Sequence, residues 1–222
     1  MVLVEPEQHQ GVSVGTSFAV SEAGVWVTAR HVVQGCTDIA ERGPNGWDAV
    51  RVAWVHPHAD MALIRSQGAP THFALANDDI VSNQDGYAFG YPQGRPGSVH
   101  GHLIGRTQIR SPGLFTGTAP TLAWAEVERQ PAFKGSLGGI SGGPLLDANG
   151  RVLGVVVAEI PRRGRFETLA PEVLREVAAH GRLVPPTSHA PVVVSLPEAD
   201  FGRVGDELRE QYAVSQVACA VR

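Results

Sequence analysis

The chain lacks most of the features that mark disulfide-stapled, membrane-spanning or nucleic-acid-binding proteins. Its 222 residues include only two cysteines, Cys36 and Cys219, which are too few for a disulfide framework. We therefore expect a fold that does not rely on an oxidised cross-link, and we interpret Cys36 as a small buried hydrophobic side chain. No apolar run approaches the roughly 20 residues that a membrane helix needs, so no membrane contact is expected.

The excess of one charge sign over the other is also small. The formal net charge is −4 and no stripe of Lys and Arg crosses the sequence, which argues against nucleic acid as a partner. The basic cluster at residues 162–165 is interpreted as a solvated turn. The chain does not open with a basic segment followed by an apolar core, so a secretory signal is not expected. We expect a cytoplasmic protein, or a periplasmic one if a signal has been removed.

Glycine and proline, by contrast, are plentiful. The 26 Gly and 16 Pro separate many short apolar runs, a pattern typical of an all-β sandwich or barrel. Ten candidate strands lie between residues 12 and 158. One helix is predicted at residues 171–180, with proline at its first position and Gly181 placed to end it. Further on, we predict a strand at residues 192–196 and a short amphipathic helix spanning residues 204–212.

Three side chains in the order His, Asp, Ser carry the chemistry. Ser141 lies in a glycine-rich turn, where free N–H groups can point at a developing oxyanion. His31 follows an apolar strand, and Asp60 precedes another. Taken singly, the histidine is more simply a structural residue and the aspartate a turn residue or cap. Together they meet the needs of acyl transfer, in which an imidazole takes the serine proton and a carboxylate orients the imidazole.

The motifs around these residues resemble the trypsin-like serine proteases, and more closely their HtrA-type bacterial branch. Thr28-Ala29-Arg30-His31 is similar to the family's Thr-Ala-x-His motif, and Asp60-Met61-Ala62-Leu63 to its Asp-hydrophobic-Ala-Leu strand. Gly139-Ile140-Ser141-Gly142-Gly143-Pro144 resembles the nucleophile loop, and residues 86–92 resemble an HtrA-type segment. The likeness covers about residues 11–180, with all motifs in the family's order.

The resemblance implies a fold of two six-stranded antiparallel β-barrels with the site in the cleft between them. We expect a protease domain at residues 1–182, with barrels at about 11–95 and 96–170 and the helix at 171–180. Residues 183–222 then form an extension of unknown role, too short for the PDZ module of most HtrA-type proteins. That extension is expected to be a packing segment or an oligomer contact.

The resemblance also assigns roles to residues. His31 is the expected general base, Asp60 its orienting carboxylate and Ser141 the nucleophile, and the backbone N–H groups of Gly139 and Ser141 form the oxyanion hole. The function implied is a serine endopeptidase that acts on protein or peptide substrates without cofactor or metal. Two alternatives stay open: a catalytically weak or silent binding or scaffold module of the same fold, and an esterase using the same site.

Two positions depart from the family pattern. Ile140 stands before the nucleophile, where secreted trypsins have an aspartate that builds the oxyanion hole by pairing with a freed amino terminus. We therefore expect a hole shaped by local loops, permanently or on ligand binding, or else a collapsed hole. Val157 stands where the family usually has a Ser or Thr that bonds the triad aspartate, so Asp60 needs another donor or water.

The substrate pocket is expected to involve Gly135, Val157, Ala158 and Glu159. Gly135 falls at the pocket base, where trypsins carry Asp, so a small or aliphatic side chain before the scissile bond is the first expectation. As an alternative, Glu159, and Glu167 near the opposite wall, could attract a basic group. If both are instead exposed hydrophilic residues at the rim of the pocket, neither selects a basic substrate side chain.

Two histidine pairs are interpreted without a metal. His56 and His58 alternate with Asp60 in a way that suits metal ligands on one strand face, but the triad role already commits Asp60. His100 and His102 have no third ligand nearby in sequence, and we interpret them as solvated strand residues.

Overall fold

A computed structural model describes residues 1–3, 11–66, 68, 71–76, 80–179, 195–196 and 198–221. The strands are β1 (Val2–Leu3), β2 (Gly11–Ser21), β3 (Val25–Thr28), β4 (Asp38–Gly43), β5 (Gly46–Ala49), β6 (Arg51–Val55), β7 (Ala62–Arg65), β8 (Asp85–Gly90), β9 (Gly97–Arg110), β10 (Ala119–Gln130), β11 (Pro144–Leu146), β12 (Val152–Ile160), β13 (Arg165–Leu169) and β14 (Val214–Val221). The helices are α1 (Arg30–Val33), α2 (Pro171–Ala179) and α3 (Phe201–Glu210).

The carboxyl-terminal lobe is a closed antiparallel barrel. Its strands follow the order β9-β10-β13-β12-β11-β8, and β8 pairs back onto β9, so the barrel has six strands. Alternation of side chains along each strand sends one set inward, and Trp124, Phe166, Leu122 and Leu145 are fully buried there. The short strand β1 adds to the far end of β9 in a parallel pairing.

The amino-terminal lobe is a curled seven-stranded sheet of order β5-β4-β14-β2-β3-β7-β6. Its third strand, β14, comes from the far end of the chain and pairs with both β2 and β4. With the closed barrel, this sheet confirms the predicted trypsin-like two-barrel architecture. The strand β14 was not predicted, because its partner strands β2 and β4 lie near the other end of the chain and local sequence does not reveal them. The predicted strand at 192–196 falls mostly outside the described residues, and residues 195–196 are not in a strand.

The predicted helices form with small changes of boundary. α2 begins at the expected proline and runs to Ala179, while His180 lies outside the described residues. α3 begins three residues before the predicted start, at the buried ring of Phe201. It ends at Glu210, because Tyr212 takes a left-handed backbone conformation with φ 53° that a helix does not accommodate. Neither α2 nor α3 has the length and apolar character of a membrane-crossing helix.

A disulfide joins Cys36 to Cys219, with Cα atoms 5.4 Å apart. This corrects the expectation that the fold carries no oxidised cross-link and that Cys36 is simply a small hydrophobic side chain. The two cysteines meet because β14 pairs with β4, which places Cys219 opposite Ile39, a few residues after Cys36. One cross-link over a sequence separation of 183 residues is not a framework, but it fastens the carboxyl-terminal strand to the amino-terminal sheet.

A shared apolar core holds the two lobes together. Phe18 and Met61 from the first lobe belong to the same buried cluster as Phe89 and Val155 from the second, together with residues of α2 and α3. Burial of large apolar side chains is the dominant favourable term in folding. The two lobes are therefore packed on one another, and the loops at their junction are held at fixed positions.

Glu41 gives the first testable prediction, which concerns stability and pH. Its side chain is buried on β4 beside Ser17, and burial raises its pKa from 4.5 to about 7. Between these two pH values the unfolded chain loses a proton that the folded chain keeps. The free energy of unfolding therefore falls as pH rises from 4.5 to 7, by about 3 kcal/mol from this group, and levels off above 7.

Urea unfolding at several pH values checks this expectation against Glu41→Gln, in which a neutral amide replaces the protonated carboxyl. Glu167 is also buried, with its pKa raised by burial to about 7, so the variant should lose only part of the pH dependence. Identical pH profiles for the variant and the unmodified protein would contradict the prediction.

Candidate active site

Strand pairing brings His31 and Asp60 together. Because β3 and β7 are antiparallel neighbours with Thr28 opposite Ala62, residues just after Thr28 lie beside residues just before Ala62. His31 sits in the single helical turn α1, and its Nδ1 lies 2.6 Å from Asp60 Oδ2. A carboxylate at this distance holds the proton on Nδ1, which leaves Nε2 as the basic nitrogen of the ring.

Asp60 accepts a second hydrogen bond although the usual Ser or Thr is replaced by valine. Its side chain is only 4% exposed, and its Oδ1 accepts the backbone N–H of His31 at 2.9 Å. Both carboxylate oxygens are therefore used by one residue, through its ring and its main chain. Val157 occupies the position of the usual Ser or Thr, and its side chain is a buried part of the cleft wall.

The loop that carries Ser141 is anchored to the amino-terminal lobe. The backbone N–H of Thr16 donates to the Ser141 carbonyl at 2.9 Å, and the Thr16 hydroxyl donates to the Gly139 carbonyl at 2.7 Å. Gly142 has φ +87°, and a Cβ there would stand 2.1 Å from the Thr16 carbonyl oxygen. This position therefore needs glycine, as the close backbone approach requires.

The peptide between Gly138 and Gly139 has a defined direction. The Gly138 carbonyl accepts the backbone N–H of Gln93 at 2.6 Å. In a trans peptide the C=O and the N–H point in opposite directions, and Gln93 does not line the cleft. The Gly139 N–H therefore points away from Gln93. Among the residues that the structure describes, neither this N–H nor that of Ser141 has an acceptor.

Ile140 packs where an activating aspartate would make an ion pair. Its side chain is 2% exposed and belongs to the barrel core with Leu137 and Val156. Its backbone N–H donates to the Leu137 carbonyl, and its carbonyl accepts the N–H of Gly143. An apolar anchor and two backbone turns thus fix this part of the loop without a freed amino terminus.

Sequence reasoning missed Gln93 as a support of the nucleophile loop. Its side-chain amide donates to the carbonyls of Lys134 and Ser136 at 2.9 and 3.1 Å, and its backbone holds Gly138. The residue takes a left-handed conformation, φ 54° and ψ 29°, which costs energy in a non-glycine residue. The family-like segment at 86–92 ends one residue earlier, which was the only local signal for this turn.

Gln93→Gly gives the second prediction. Glycine keeps the backbone N–H and favours the left-handed conformation, so only the two side-chain hydrogen bonds are lost. Because one well-placed oxyanion donor contributes about 10²- to 10³-fold to kcat, partial loss of its alignment should lower kcat about tenfold with little change in KM. Steady-state peptide hydrolysis measures both constants. Lys134→Ala, which retains the carbonyl that Gln93 binds, is the matched control and should keep the original kcat.

The candidate cleft lies between the lobes and has a volume of about 460 Å³. His31, Asp60 and Ser141 all line it, together with Gly139. The structure thus brings the expected base, carboxylate, serine and oxyanion donors to one cavity.

The walls beside this cavity are mainly apolar. Leu137, Val156, Val157 and Ala158 line it with Glu159. Glu159 is already engaged: its Oε2 accepts from the Ser136 hydroxyl and the Leu137 N–H, both at 2.8 Å. The Arg129 guanidinium also lies 3.6 Å from its other oxygen. The carboxylate therefore secures the loop, while the Arg129 guanidinium is paired mainly with Glu126, through hydrogen bonds of 2.6 and 2.8 Å.

Other residues named from the sequence lie elsewhere. Gly135 is exposed and is not among the residues that line the cleft, and its carbonyl accepts a hydrogen bond from Arg129. Glu167 is buried in β13, away from the cleft lining. His56 Nε2 pairs with Glu176 at 2.9 Å, and its Nδ1 accepts the backbone N–H of His58. His100 is fully buried, which corrects its interpretation as a solvated strand residue.

A closed antiparallel barrel packed on a curled sheet, with His, Asp and Ser lining a cleft between them, defines the class of trypsin-fold hydrolases. Residues 15–155 match the family model of the trypsin-like peptidase domain, and the chain belongs to that family. Its predicted resemblance to the HtrA-type branch is confirmed by the curated relatives and solved structures that it matches.

The chain is 31% identical over 156 residues to the uncharacterized protein y4bJ of Sinorhizobium fredii, covering 70% of this chain and 23% of that protein. It is 31% identical over 169 residues to a probable periplasmic serine endoprotease DegP-like of Chlamydia trachomatis, covering 72% and 31%. It spans less than a third of either relative. The active form of the Rv3671c protease from M. tuberculosis has a similar fold, with a TM-score of 0.63 at 21% identity, covering 86% and 91%.

Proposed function

We propose that this domain is a serine endopeptidase that cleaves peptide bonds through an acyl-enzyme. The observation that carries the proposal is the cleft itself, in which Ser141 and a carboxylate-bound His31 lie beside two backbone N–H groups without acceptors among the described residues. The name of the Chlamydia trachomatis relative, a serine endoprotease, supports a protein or peptide substrate. No cofactor takes part in this chemistry.

The proposed reaction follows from the geometry. Ser141 Oγ attacks the carbonyl carbon of the scissile bond while Nε2 of His31 takes the hydroxyl proton. The N–H groups of Gly139 and Ser141 stabilise the oxyanion, and Asp60 stabilises the imidazolium. The C–N bond then breaks as the imidazolium gives its proton to the leaving amine. Water, activated by the same His31, releases the acyl group and restores the serine.

The lining of the cleft favours a small or aliphatic side chain before the scissile bond. Its walls are largely apolar, and the Glu159 carboxylate among them already accepts hydrogen bonds from the Ser136 hydroxyl and the Leu137 N–H. Burying the positive charge of a substrate Arg or Lys there without a free counter-ion is unfavourable. We therefore propose that the domain disfavours basic residues at this position.

A panel of fluorogenic peptides that differ only at this position tests the specificity, as the third prediction. Peptides with Val or Leu should show kcat/KM at least tenfold above the Arg peptide, since a hydrophobic pocket discriminates by about 1–3 kcal/mol. Glu159→Gln should not change the order. A faster Arg peptide whose advantage disappears in that variant would overturn the specificity, and cleavage of none of the peptides would overturn the endopeptidase proposal.

We further propose that the domain works in an oxidising compartment. Structural disulfides persist in the periplasm and outside cells but are reduced in the cytosol, so the bond between Cys36 and Cys219 does not favour the expected cytoplasmic location. The periplasmic alternative agrees with the name of the Chlamydia trachomatis relative.

A further inference from the structure

A second cluster of chemically active side chains lies on the hairpin of β8 and β9. The register places Asp85 opposite His102 and Tyr87 opposite His100. Side chains opposite one another, or two apart on a strand, share a face of the sheet. Asp85, His100 and His102 therefore converge on one face, and none of them lines the catalytic cleft.

The three ligand-type atoms are close together. Asp85 Oδ1 lies 2.7 Å from His100 Nε2 and 2.8 Å from His102 Nδ1, and one atom from each residue lies within 4.8 Å of the others. The ring of His100 is fully buried, stacked on Tyr87 with centroids 4.9 Å apart and 6.0 Å from the ring of Phe201. Asp85 and His102 are about 40% exposed, so the cluster opens to solvent on one side.

One contact in this cluster is close but is not a hydrogen bond. His102 Nδ1 is shielded from solvent and lies 2.8 Å from a carboxylate oxygen, yet it has no hydrogen-bond partner among the described residues. A buried polar nitrogen without a partner is costly. A cation seated between the ring nitrogens and the carboxylate would use the lone pair of that nitrogen.

We propose that Asp85, His100 and His102 form a binding site for a divalent transition metal, with Zn²⁺ as its expected ion. Two imidazoles and one carboxylate are ligands that Zn²⁺ binds at about 2.0–2.2 Å, whereas Ca²⁺ and Mg²⁺ favour all-oxygen sites. Tetrahedral ligands at that distance are about 3.3 Å apart, so the carboxylate oxygen must move about half an ångström from each ring nitrogen. The partly exposed Asp85 and His102 side chains must also bring all three ligand atoms, which lie within 4.8 Å of one another, to that spacing. Water takes the fourth position on the solvent side.

Metal binding here ties β8 to β9. Because the buried His100 ring contacts Phe201 at the start of α3, the bound ion also restrains that helix. The ion therefore has a stabilising role, distinct from the chemistry of the cleft. The expected consequence is a folded state whose melting temperature depends on zinc.

Zinc titration of tag-free, oxidised protein tests the site. The described cysteines are joined in the disulfide, so thiols do not compete. Calorimetry should show one Zn²⁺ per chain, and zinc at 100 times its Kd should raise Tm by about 5–10 °C. Asp85→Asn and His102→Gln, both on partly exposed side chains, should each weaken binding at least tenfold. His58→Gln, which alters another exposed histidine, is the matched control and should bind zinc as before.

Three outcomes would overturn the site. Absence of zinc binding would leave the cluster as a hydrogen-bonded pair with a neighbouring ring. Binding that survives both Asp85→Asn and His102→Gln would place the ion elsewhere. Binding that disappears only in His31→Ala would place it in the catalytic cleft. Each outcome is independent of whether the protein hydrolyses peptides, so failure of this site and failure of the endopeptidase proposal are distinguishable.

Discussion

Ser141→Ala is expected to lower kcat for peptide hydrolysis by about 10⁶-fold, to the level that binding and the oxyanion donors alone sustain. The variant removes the only atom that forms the acyl bond, while the loop stays anchored through the Ser141 carbonyl and Thr16. His31→Ala should cost about as much, because the serine then has no base.

The combination of these two changes distinguishes a triad from two independent residues. In a triad the residues act as a unit, so Ser141→Ala with His31→Ala should be no slower than either single variant. Ser82→Ala, which alters an exposed serine on another loop, is the control and should retain full activity. A loss below tenfold for Ser141→Ala would contradict the assignment of the nucleophile.

Reduction of the disulfide between Cys36 and Cys219 is the second large effect expected. The cross-link closes a sequence separation of 183 residues, and the chain-entropy model gives up to about 5 kcal/mol of stability for a loop of that size. Domains are typically stable by about 5–15 kcal/mol, so this contribution is a large fraction. It acts on β14, which is hydrogen-bonded to both β2 and β4 in the amino-terminal sheet.

Guanidinium unfolding with and without reductant, followed by tryptophan fluorescence, measures this contribution. Reduction should shift the midpoint markedly to lower denaturant. A Cys36→Ala, Cys219→Ala double variant should unfold like the reduced protein and show no further response to reductant. Equal midpoints for the oxidised and reduced protein would contradict the prediction.

The sequence could predict those parts of the site that are written in local motifs. In the sequence, His31 follows β3 and Asp60 precedes β7 by only a few residues, and glycines flank Ser141 on both sides. The order of the three residues then pointed to one chemistry. The apolar cleft wall at Val157 and Ala158 also lies where the motif spacing placed it.

Long-range contacts could not be predicted in the same way. β14 lies between strands from the other end of the chain, so neither its position nor the disulfide follows from local sequence. Gln93 supports a loop 41 to 43 residues later by hydrogen bonds to backbone carbonyls, which have no sequence signature. Asp85 joins His100 across two paired strands, and sequence spacing alone did not connect them.

The position of Gly135 also depends on contacts that the sequence does not show. Counting back from Ser141 places Gly135 at the pocket base, but its carbonyl accepts a hydrogen bond from Arg129 and it is not among the residues that line the cleft. Ser136 and Leu137 line the cleft in its place. The proposed preference for an apolar substrate side chain therefore rests on these walls and on the hydrogen bonds that Glu159 already accepts.

The central claim is that Ser141 is an activated nucleophile, and a fluorophosphonate probe tests it most directly. Intact-mass measurement of the oxidised, folded protein after treatment should show one adduct per chain, and Ser141→Ala treated in parallel should show none. An adduct of equal size in that variant, or an unmodified wild-type chain after hours of exposure, would contradict the account.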